Sequence, residues 1–225
     1  MKFSGLQKTS VLDYPDKVAS VLFTPGCNLH CPYCHNWEIA TNPQPPFLQE
    51  ATILEILETR KKYINAIVIT GGEPCMHKEL PNFLAKLKEQ EFSVKLDTNG
   101  FYPETLGKCL NHADYIALDI KTSLEKYSQL GAQDTDNLQK SIDILKKCQI
   151  PYEFRTTIVP GLVTLQDIEQ IGKLSQGSKN HALQQFTPEN APDKQYQKLQ
   201  RYAPEDINEF TNILSKYTEK VLLRI

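Results

Sequence analysis

The sequence predicts an α/β fold, a partial (β/α)6-type TIM-like barrel with a parallel sheet. Short β-branched runs alternate with amphipathic runs along almost the whole chain of 225 residues. Such alternation is typical of βαβ units, whose right-handed crossovers curl parallel strands toward a barrel. The units number about six, fewer than the eight of a closed barrel. We therefore expect one domain, residues 1–225, with a lateral gap in its barrel.

The elements follow in chain order. The apolar, β-branched runs predict strands at 18–24, 66–70, 93–99, 115–121, 151–159, 181–187 and 220–225. The amphipathic runs between them predict helices at 48–63, 79–90, 103–112, 136–149, 164–176 and 204–216. Leu54, Leu57 and Lys61 show helical spacing in the first of these, and Thr164 followed by Asp167 predicts an N-cap for the fifth.

Composition limits the classes of partner. The net charge is −2 with no basic tract, so we expect no nucleic-acid partner. No apolar run approaches the ~20 residues of a membrane helix, so we expect no membrane partner. The apolar stretch 18–24 is too short for an export signal, and Asp13, Asp16 and Pro25 flank it unfavourably. A cytoplasmic location is therefore expected, where clustered thiols bind metal more often than they form disulfides.

The cysteine run is the most informative motif. Cys27, Cys31 and Cys34 form a C-x3-C-x2-C pattern in a single loop. Three thiolates can hold three irons of a [4Fe–4S] cluster and leave the fourth iron open to another molecule. The alternatives are a structural zinc site, with His30 or His35 as fourth ligand, and a disulfide with one free thiol. The single loop without a second cysteine pair favours the cluster.

Further polar residues follow the predicted strands. Gly71-Gly72-Glu73-Pro74 comes after strand 66–70; two glycines permit close approach of backbone to a ligand, and Glu73 could pair with an ammonium group. Taken alone, this segment could be a simple turn before a helix. Carboxyl ends of barrel strands share one face, so we expect these residues to meet others that end strands. Those others are Asp97, Thr98, Asn99, Asp119, Lys121 and Arg155.

These motifs together resemble a known family. CNLHCPYC at 27–34 with TGGEP at 70–74 resembles the radical S-adenosylmethionine superfamily. GLQKTSVLDYP at 5–15, LDTNG at 96–100, LDIK at 118–121 and IVPG at 158–161 resemble the activating enzymes of glycyl-radical proteins. Within these, the chain is most similar to the activating proteins of anaerobic ribonucleoside-triphosphate reductase. The resemblance extends over essentially the full length.

The resemblance implies a [4Fe–4S] cluster on the three cysteines, with S-adenosyl-L-methionine chelated to the fourth iron. It implies that Gly71, Gly72 and Glu73 hold the amino group of the methionine moiety and that Lys121 contacts its carboxylate. The resemblance also implies a second set of contacts to the cofactor. Asp97 and Asp119, with Thr98, match residues that line the methionyl end and a monovalent cation site in a pyruvate formate-lyase activator.

The adenine contacts are also implied by the resemblance. Tyr33 would offer its backbone to the adenine, and Ile158 and Val159 would either pack on the adenine or belong to the core. Arg155 is expected to point into the site, because an arginine on a barrel strand usually faces a site or an ion pair. The histidine that a related activator carries near the ribose is absent, and Gln184 is the candidate replacement.

The implied activity is reductive cleavage of S-adenosylmethionine to a 5′-deoxyadenosyl radical, which generates a glycyl radical on a partner enzyme. The expected partner is anaerobic ribonucleotide reductase, and the expected electron donor is flavodoxin or ferredoxin. Two alternatives stay open: a radical S-adenosylmethionine enzyme acting on a small molecule, similar to deazapurine synthases, and a non-enzymatic metal module. His77, His112 and His181 are expected at turns or on the surface.

Overall fold

The computed structural model describes residues 1–225 and contains ten strands and seven α-helices. The strands are β1 (Lys2–Phe3), β2 (Gly5–Ser10), β3 (Ala19–Thr24), β4 (Leu48–Gln49), β5 (Ala66–Gly71), β6 (Ser93–Thr98), β7 (Tyr115–Asp119), β8 (Tyr152–Ile158), β9 (Asn180–Gln185) and β10 (Lys220–Arg224). The helices are α1 (Trp37–Thr41), α2 (Glu50–Arg60), α3 (Leu80–Glu89), α4 (Pro103–Cys109), α5 (Asp136–Lys147), α6 (Leu165–Leu174) and α7 (Pro204–Leu214). Short 3-10 helices lie at Pro74–Met76, Leu124–Leu130, Pro188–Asn190 and Tyr196–Lys198.

Eight of the strands form one open sheet. Their order is β10-β9-β8-β7-β6-β5-β3-β2, and all neighbours are parallel except β2, which runs antiparallel to β3. Strands β1 and β4 form a separate antiparallel pair. Because β2 and β10 are the two ends of the sheet and do not pair, the barrel stays open on one side. The predicted α/β partial barrel is confirmed.

All predicted strands and helices are present, with ends that differ by three residues or fewer. Strands β1, β2 and β4 and the short helix α1 were not predicted. Strand β2 was not predicted because its sequence GLQKTS is polar and its side chains are mostly exposed; its backbone pairing with β3 holds it in place. Residues 48–49 form β4 and do not belong to the helix predicted from 48. None of the helices is both long and apolar enough to cross a bilayer.

The strands alternate between two apolar environments. Ile67 and Ile69 of β5 belong to the main core between the sheet and the helices. Ala66 and Val68 point to the other face, where they pack in a smaller cluster that includes Tyr14. This burial of both faces is expected of a parallel sheet and explains the continuous apolar run that predicted β5.

The last strand is fixed by an ion pair to the middle of the sheet. Arg224 of β10 donates to both carboxylate oxygens of the fully buried Glu153, at 2.8 and 2.7 Å. The Tyr115 hydroxyl donates to the same carboxylate at 3.1 Å. A buried carboxylate requires such partners, since an unpaired charge in the interior is strongly destabilising.

The location of His181 differs from the predicted one. It was expected at a turn or on the surface, but it lies on β9 and is fully buried. Its Nε2 lies 3.0 Å from the Thr156 hydroxyl, which itself donates to the Ile120 carbonyl, so Nε2 carries the proton. Burial lowers the pKa of His181 to about 3, and the ring is therefore neutral near neutral pH. Because β9 is an interior strand of the sheet, polarity of the side chain alone misled the prediction.

The predicted N-cap of α6 is confirmed. The Thr164 side chain accepts from the Asp167 backbone, and the Asp167 carboxylate accepts from the Thr164 backbone at 2.8 Å, which together form a capping box. Asp167 also accepts from Ser123 and Lys126, both at 2.6 Å. The start of α6 is thereby tied to the segment that follows β7, close to the carboxyl ends of the strands.

Candidate functional site

A cavity of ≈ 420 Å³ lies at the carboxyl ends of the strands. All the residues predicted from the sequence to bind cluster or cofactor line it, except Ile158. They are Cys27, Cys31, Tyr33, Cys34, Gly71, Gly72, Glu73, Asp97, Thr98, Asp119, Lys121 and Arg155. Because these residues come from five separate segments of the chain, their convergence follows from the barrel topology.

The cysteine loop directly follows β3. Its three thiols are free of disulfides and partly buried, and the Leu29 backbone N–H donates to Cys27 Sγ at 3.4 Å. Gly26 precedes the loop with a φ of 80°, in the left-handed region that favours glycine. The disulfide alternative is therefore not realised in this structure, and all three sulfurs remain available as ligands.

The number of sulfur donors matters for the two metal hypotheses. No group of three or more His, Cys, Asp or Glu side chains stands close enough together to hold a single metal ion. A zinc site would need four donors around one ion. The ligands of a [4Fe–4S] cluster attach to separate irons and so stand further apart. Three thiols lining one cavity match the three protein ligands of such a cluster.

The thiols are protonated in the metal-free chain. Burial raises the pKa of Cys27 to about 11 and that of Cys31 to about 12, although the nearby Lys121 opposes the rise at both. The pKa of Cys34 is also raised by burial. Because metal binds the thiolate, loading of this loop must release protons.

The two glycines of the second motif are required by packing of the chain on itself. A Cβ on Gly72 would lie 1.8 Å from the carbonyl oxygen of Gly26, and one on Gly71 would lie 2.4 Å from the Thr24 nitrogen. The backbone N–H of Gly72 donates to the Thr24 carbonyl at 2.9 Å, and that of Glu73 donates to Gly26 at 2.8 Å. The glycines thus hold the glutamate segment directly against the cysteine loop.

Glu73 is fixed by three hydrogen bonds. Its Oε1 accepts from the Cys75 backbone at 2.9 Å and from the Thr98 hydroxyl at 2.7 Å, while Oε2 accepts from the Asn99 backbone at 2.6 Å. A carboxylate can accept about four, so capacity for one further donor remains, and it lies on Oε2. Burial raises the pKa of Glu73 to about 7 against the lowering effect of these bonds. A cationic ligand group would stabilise its ionised form.

Asn99, one of the residues expected at the carboxyl ends of the strands, both caps a turn and lines the cavity. Its Oδ1 caps the turn by accepting from the Phe101 backbone at 3.1 Å. Its Nδ2 donates to Asn28 at 2.8 Å and lies 3.6 Å from Cys27 Sγ. Since its backbone also binds Glu73, Asn99 connects the glutamate with the cysteine loop. The signal in the sequence was its place at the end of a strand beside Thr98.

Five charged side chains form a continuous ladder along one side of the barrel interior. Lys95 donates to Asp97, Asp97 accepts from Arg155, Arg155 donates to Asp119, and Asp119 accepts from Lys121. The N···O distances are 2.6, 3.0, 2.7 and 3.1 Å in that order. Arg155 therefore faces the site, as predicted, and joins two of the predicted site carboxylates.

The ladder controls the ionisation of its members. Burial alone would raise the pKa of both Asp97 and Asp119. The cationic neighbours together outweigh it and hold both below their ordinary value: Arg155 with Lys95 at Asp97, and Arg155 with Lys121 at Asp119. Burial would lower the pKa of Lys121 and Arg155, but the neighbouring anionic groups reverse the effect and raise both, with Asp119 the largest contributor and Asp97 the next at Arg155. All four groups are charged at neutral pH, so the cavity presents fixed charges and not proton donors of intermediate pKa.

The environment of Tyr33 indicates whether the cavity suits a ligand. Its ring stands edge-on to Phe186 and stacks on Tyr196, with centroids 6.4 and 6.5 Å away. Its hydroxyl is buried and has no hydrogen-bond partner within the protein. A buried hydroxyl without a partner is costly. The donor set, the partnerless hydroxyl and the remaining capacity of Glu73 fit a polar, cationic cofactor beside a cluster.

The position of Ile158 differs from the predicted one. It was predicted among the cofactor-binding residues, with core packing as the alternative. The side chains of Ile158 and Val159 are fully buried in the main core, and neither lines the cavity. Alternation along β8 explains this, because Arg155 and Thr157 face the cavity and Ile158 faces the helices.

Several cavity residues were missed. Asp13 lies in the turn before β3, in the polar segment whose strand was not predicted. Asn36 donates to the Gly71 carbonyl at 3.1 Å, and its only signal was its place two residues after Cys34. Gln184, the candidate replacement for the family histidine, lines the cavity together with Gln185.

Comparison with known proteins gives the same family from independent similarities. The model of the Radical SAM superfamily matches residues 21–175. A Methanocaldococcus jannaschii protein, provisionally named a glycyl-radical enzyme activating enzyme, is 35% identical over 98% of this chain and 95% of its own length. The pyruvate formate-lyase-activating enzyme of Clostridium pasteurianum is 27% identical over 80% of this chain and 76% of its own.

Solved structures share the fold. Streptococcus suis SuiB, bound to its precursor peptide SuiA, superimposes with a TM-score of 0.71 at 14% identity, covering 91% of this chain and 48% of SuiB. QueE from Escherichia coli superimposes with a TM-score of 0.59 at 16% identity, covering 99% of this chain and 93% of QueE. Both carry the architecture described above for this chain.

Proposed function

Because this chain belongs to the radical S-adenosylmethionine superfamily, and within it to the glycyl-radical enzyme activating enzymes, we propose that it generates the glycyl radical of anaerobic ribonucleoside-triphosphate reductase. It is an enzyme of the radical S-adenosylmethionine type, whose cofactors are a [4Fe–4S] cluster and S-adenosylmethionine. The observation that supports the chemistry of this proposal is the convergence in one cavity of the three cysteines, Glu73 and four members of the charged ladder, namely Asp97, Asp119, Lys121 and Arg155.

The chemistry comes from the bound groups. When bound and reduced, the cluster would supply the one electron needed to cleave S-adenosylmethionine to methionine and a 5′-deoxyadenosyl radical, and this radical would take a hydrogen atom from a glycine of the partner. The protein's own residues bind and orient. Cys27, Cys31 and Cys34 would hold the cluster and leave its fourth iron free for the methionine amino and carboxylate groups.

The remaining cavity residues would fix the methionyl end. The acceptor capacity left on Glu73 Oε2 suits the amino group, and the charge of Lys121 suits the carboxylate. Lys121 stays cationic because its pKa is raised. Burial alone would lower that pKa, and the nearby Asp119 raises it. The Tyr33 hydroxyl has no partner in the protein and could donate to the adenosyl part. None of these residues needs to transfer a proton.

The open side of the barrel supports a protein substrate. The β2 and β10 edges leave the barrel unclosed, and the turn after β2 carries Asp13 into the cavity lining. The adjoining Val11 and Leu12 are 70% and 90% exposed. Exposed apolar side chains beside an active-site opening suit contact with another protein. We place the entry of the partner's glycine loop here, and assign electron delivery to a flavodoxin or ferredoxin.

The test uses the cluster-loaded, reduced protein with S-adenosylmethionine and anaerobic ribonucleotide reductase. Electron paramagnetic resonance should show an organic radical doublet on the reductase. Cys31→Ala should abolish the doublet, whereas Cys148→Ala, at the end of α5 and outside the cavity, should retain it. Cleavage of S-adenosylmethionine without a radical on any glycyl-radical protein would instead favour a small-molecule substrate.

A further inference from the structure

Both oxygens of each carboxylate at the methionyl end of the cavity already accept from a cationic side chain. Asp97 Oδ1 accepts from Lys95 at 2.6 Å and Oδ2 from Arg155 Nη1 at 3.0 Å. Asp119 Oδ1 accepts from Arg155 Nε at 2.7 Å and Oδ2 from Lys121 at 3.1 Å. Every oxygen therefore faces a cationic side chain. The resemblance to a pyruvate formate-lyase activator implied a monovalent cation at these carboxylates, and the residues present do not fit one.

The charges of the ladder lead to the same conclusion. Two carboxylates meet three cationic side chains, so the ladder carries one surplus positive charge. The carboxylate of a bound methionine moiety would bring that sum to zero. Without Lys95, the four remaining groups would be neutral and the bound carboxylate would leave one negative charge, which is the charge that a monovalent cation would balance. A metal cation added to the complete ladder would instead meet three like charges at short range.

Lys95 is placed where such a cation would be needed. It lies on β6 two residues before Asp97, so both side chains point to the same face of the sheet. Its side chain is only 3% exposed. Lysine is almost never buried unless paired, and the carboxylate of Asp97 is its partner here. A buried lysine beneath the cofactor cavity is therefore a fixed positive charge that no solvent ion can replace easily.

We propose that the Lys95 ammonium group takes the place of the monovalent cation, so that this chain binds S-adenosylmethionine without sodium or potassium. Lys95 is on this account a positioning residue: it neutralises Asp97 and thereby leaves Arg155, Asp119 and Lys121 balanced for the methionine carboxylate. The inference rests on the proposed binding of S-adenosylmethionine in this cavity. It does not depend on which partner protein receives the radical.

Equilibrium dialysis of radiolabelled S-adenosylmethionine against the cluster-loaded protein tests the proposal. The dissociation constant is measured in chloride buffers of sodium, potassium or N-methylglucamine at equal ionic strength. The wild-type value should change less than twofold among them. A fivefold or greater tightening by sodium or potassium would overturn the proposal, and this comparison needs no variant.

The variant Lys95→Met should bind at least tenfold more weakly in N-methylglucamine, and sodium or potassium should restore most of the affinity. Lys95→Arg should remain cation-independent. Lys88→Met is the matched control, because Lys88 pairs with Asp114 at 2.8 Å and lies outside the cavity; its affinity should equal that of wild type. Wild-type affinity of Lys95→Met in every buffer would refute the role of Lys95.

A measurement without cofactor separates this inference from the proposed function. The thermal unfolding midpoint of the cluster-loaded wild-type protein should be the same in all three buffers, whereas that of Lys95→Met should rise with sodium or potassium. A midpoint of the wild type that rises specifically with one metal cation would refute the inference. Activation of the reductase together with cation-dependent binding would sink the inference and leave the proposed function standing.

Discussion

Replacement of Glu73 by Gln affects both the unfolding free energy of the protein and its affinity for S-adenosylmethionine, and the two effects can be measured separately. The amide keeps the shape of the side chain, and its oxygen can still accept from the Cys75 backbone and the Thr98 hydroxyl. Its NH2 group would face the Asn99 backbone N–H, which now donates to Oε2 at 2.6 Å. Such a pair of donors leaves a buried N–H unsatisfied, which costs about 1–3 kcal/mol.

Removal of the buried charge acts in the opposite direction. Burial raises the pKa of Glu73 from the ordinary 4.5 to about 7. At about 1.4 kcal/mol for each unit, ionised Glu73 then destabilises the folded state by about 3 kcal/mol above pH 7. Because the folded pKa lies above the unfolded one, this destabilisation is absent below pH 4.5 and complete above pH 7. Glu73→Gln should therefore be less stable than wild type at low pH and close to it at pH values above 7.

Urea unfolding of the reduced, cluster-free protein measures the effect. The difference in unfolding free energy between Glu73→Gln and wild type should move by about 3 kcal/mol in favour of the variant between about pH 5 and pH 8. The difference isolates Glu73, because all other titrating groups are common to both proteins. A difference that is flat with pH, or that slopes the other way, would refute the reasoning. The cluster-loaded variant should bind S-adenosylmethionine about 10- to 100-fold more weakly, since a charge-assisted bond is lost.

Three further changes test other parts of the account. Gly72→Ala forces the glutamate segment away from the cysteine loop, because the new Cβ would lie 1.8 Å from the carbonyl oxygen of Gly26. The affinity for S-adenosylmethionine, measured by equilibrium dialysis, should fall about 100-fold. Wild-type affinity of the variant would contradict the packing argument. Arg224→Leu removes the ion-pair partner of the buried Glu153 and leaves it only the hydrogen bond from Tyr115, so urea unfolding should show a loss of about 3 kcal/mol. A loss near zero would mean that the ion pair does not hold β10. Leu12→Asp should weaken radical formation on the partner without slowing partner-independent cleavage of S-adenosylmethionine, and equal loss of both would place Leu12 away from the partner.

Much of the site was predictable because parallel barrel strands end on one face. Residues that end predicted strands, such as Glu73, Asp97 and Asp119, therefore converged as expected. Ile158 failed because two neighbouring apolar residues at a strand end do not reveal which one faces inward. Alternation along β8 is readable only once the inward position of Arg155 is known.

Lys95 and Asp13 could not have been found by the same reasoning. Lys95 sits in the middle of β6, where a lone charged residue in a predicted strand is most simply assigned to a solvent-exposed face. Its pairing with Asp97 depends on the curvature that brings both side chains into the barrel interior. Asp13 follows an edge strand whose polar sequence carries no alternation, so only the pairing of β2 with β3 places it.

Transfer of hydrogen from the partner's glycine tests the central claim most directly. Anaerobic ribonucleotide reductase labelled with glycine deuterated at Cα is incubated with the reduced, cluster-loaded enzyme and S-adenosylmethionine. Mass spectrometry should find one deuterium in the 5′-deoxyadenosine, and the electron paramagnetic resonance doublet of the reductase should collapse to a singlet. Formation of 5′-deoxyadenosine without deuterium, and no radical on the reductase, would contradict the account.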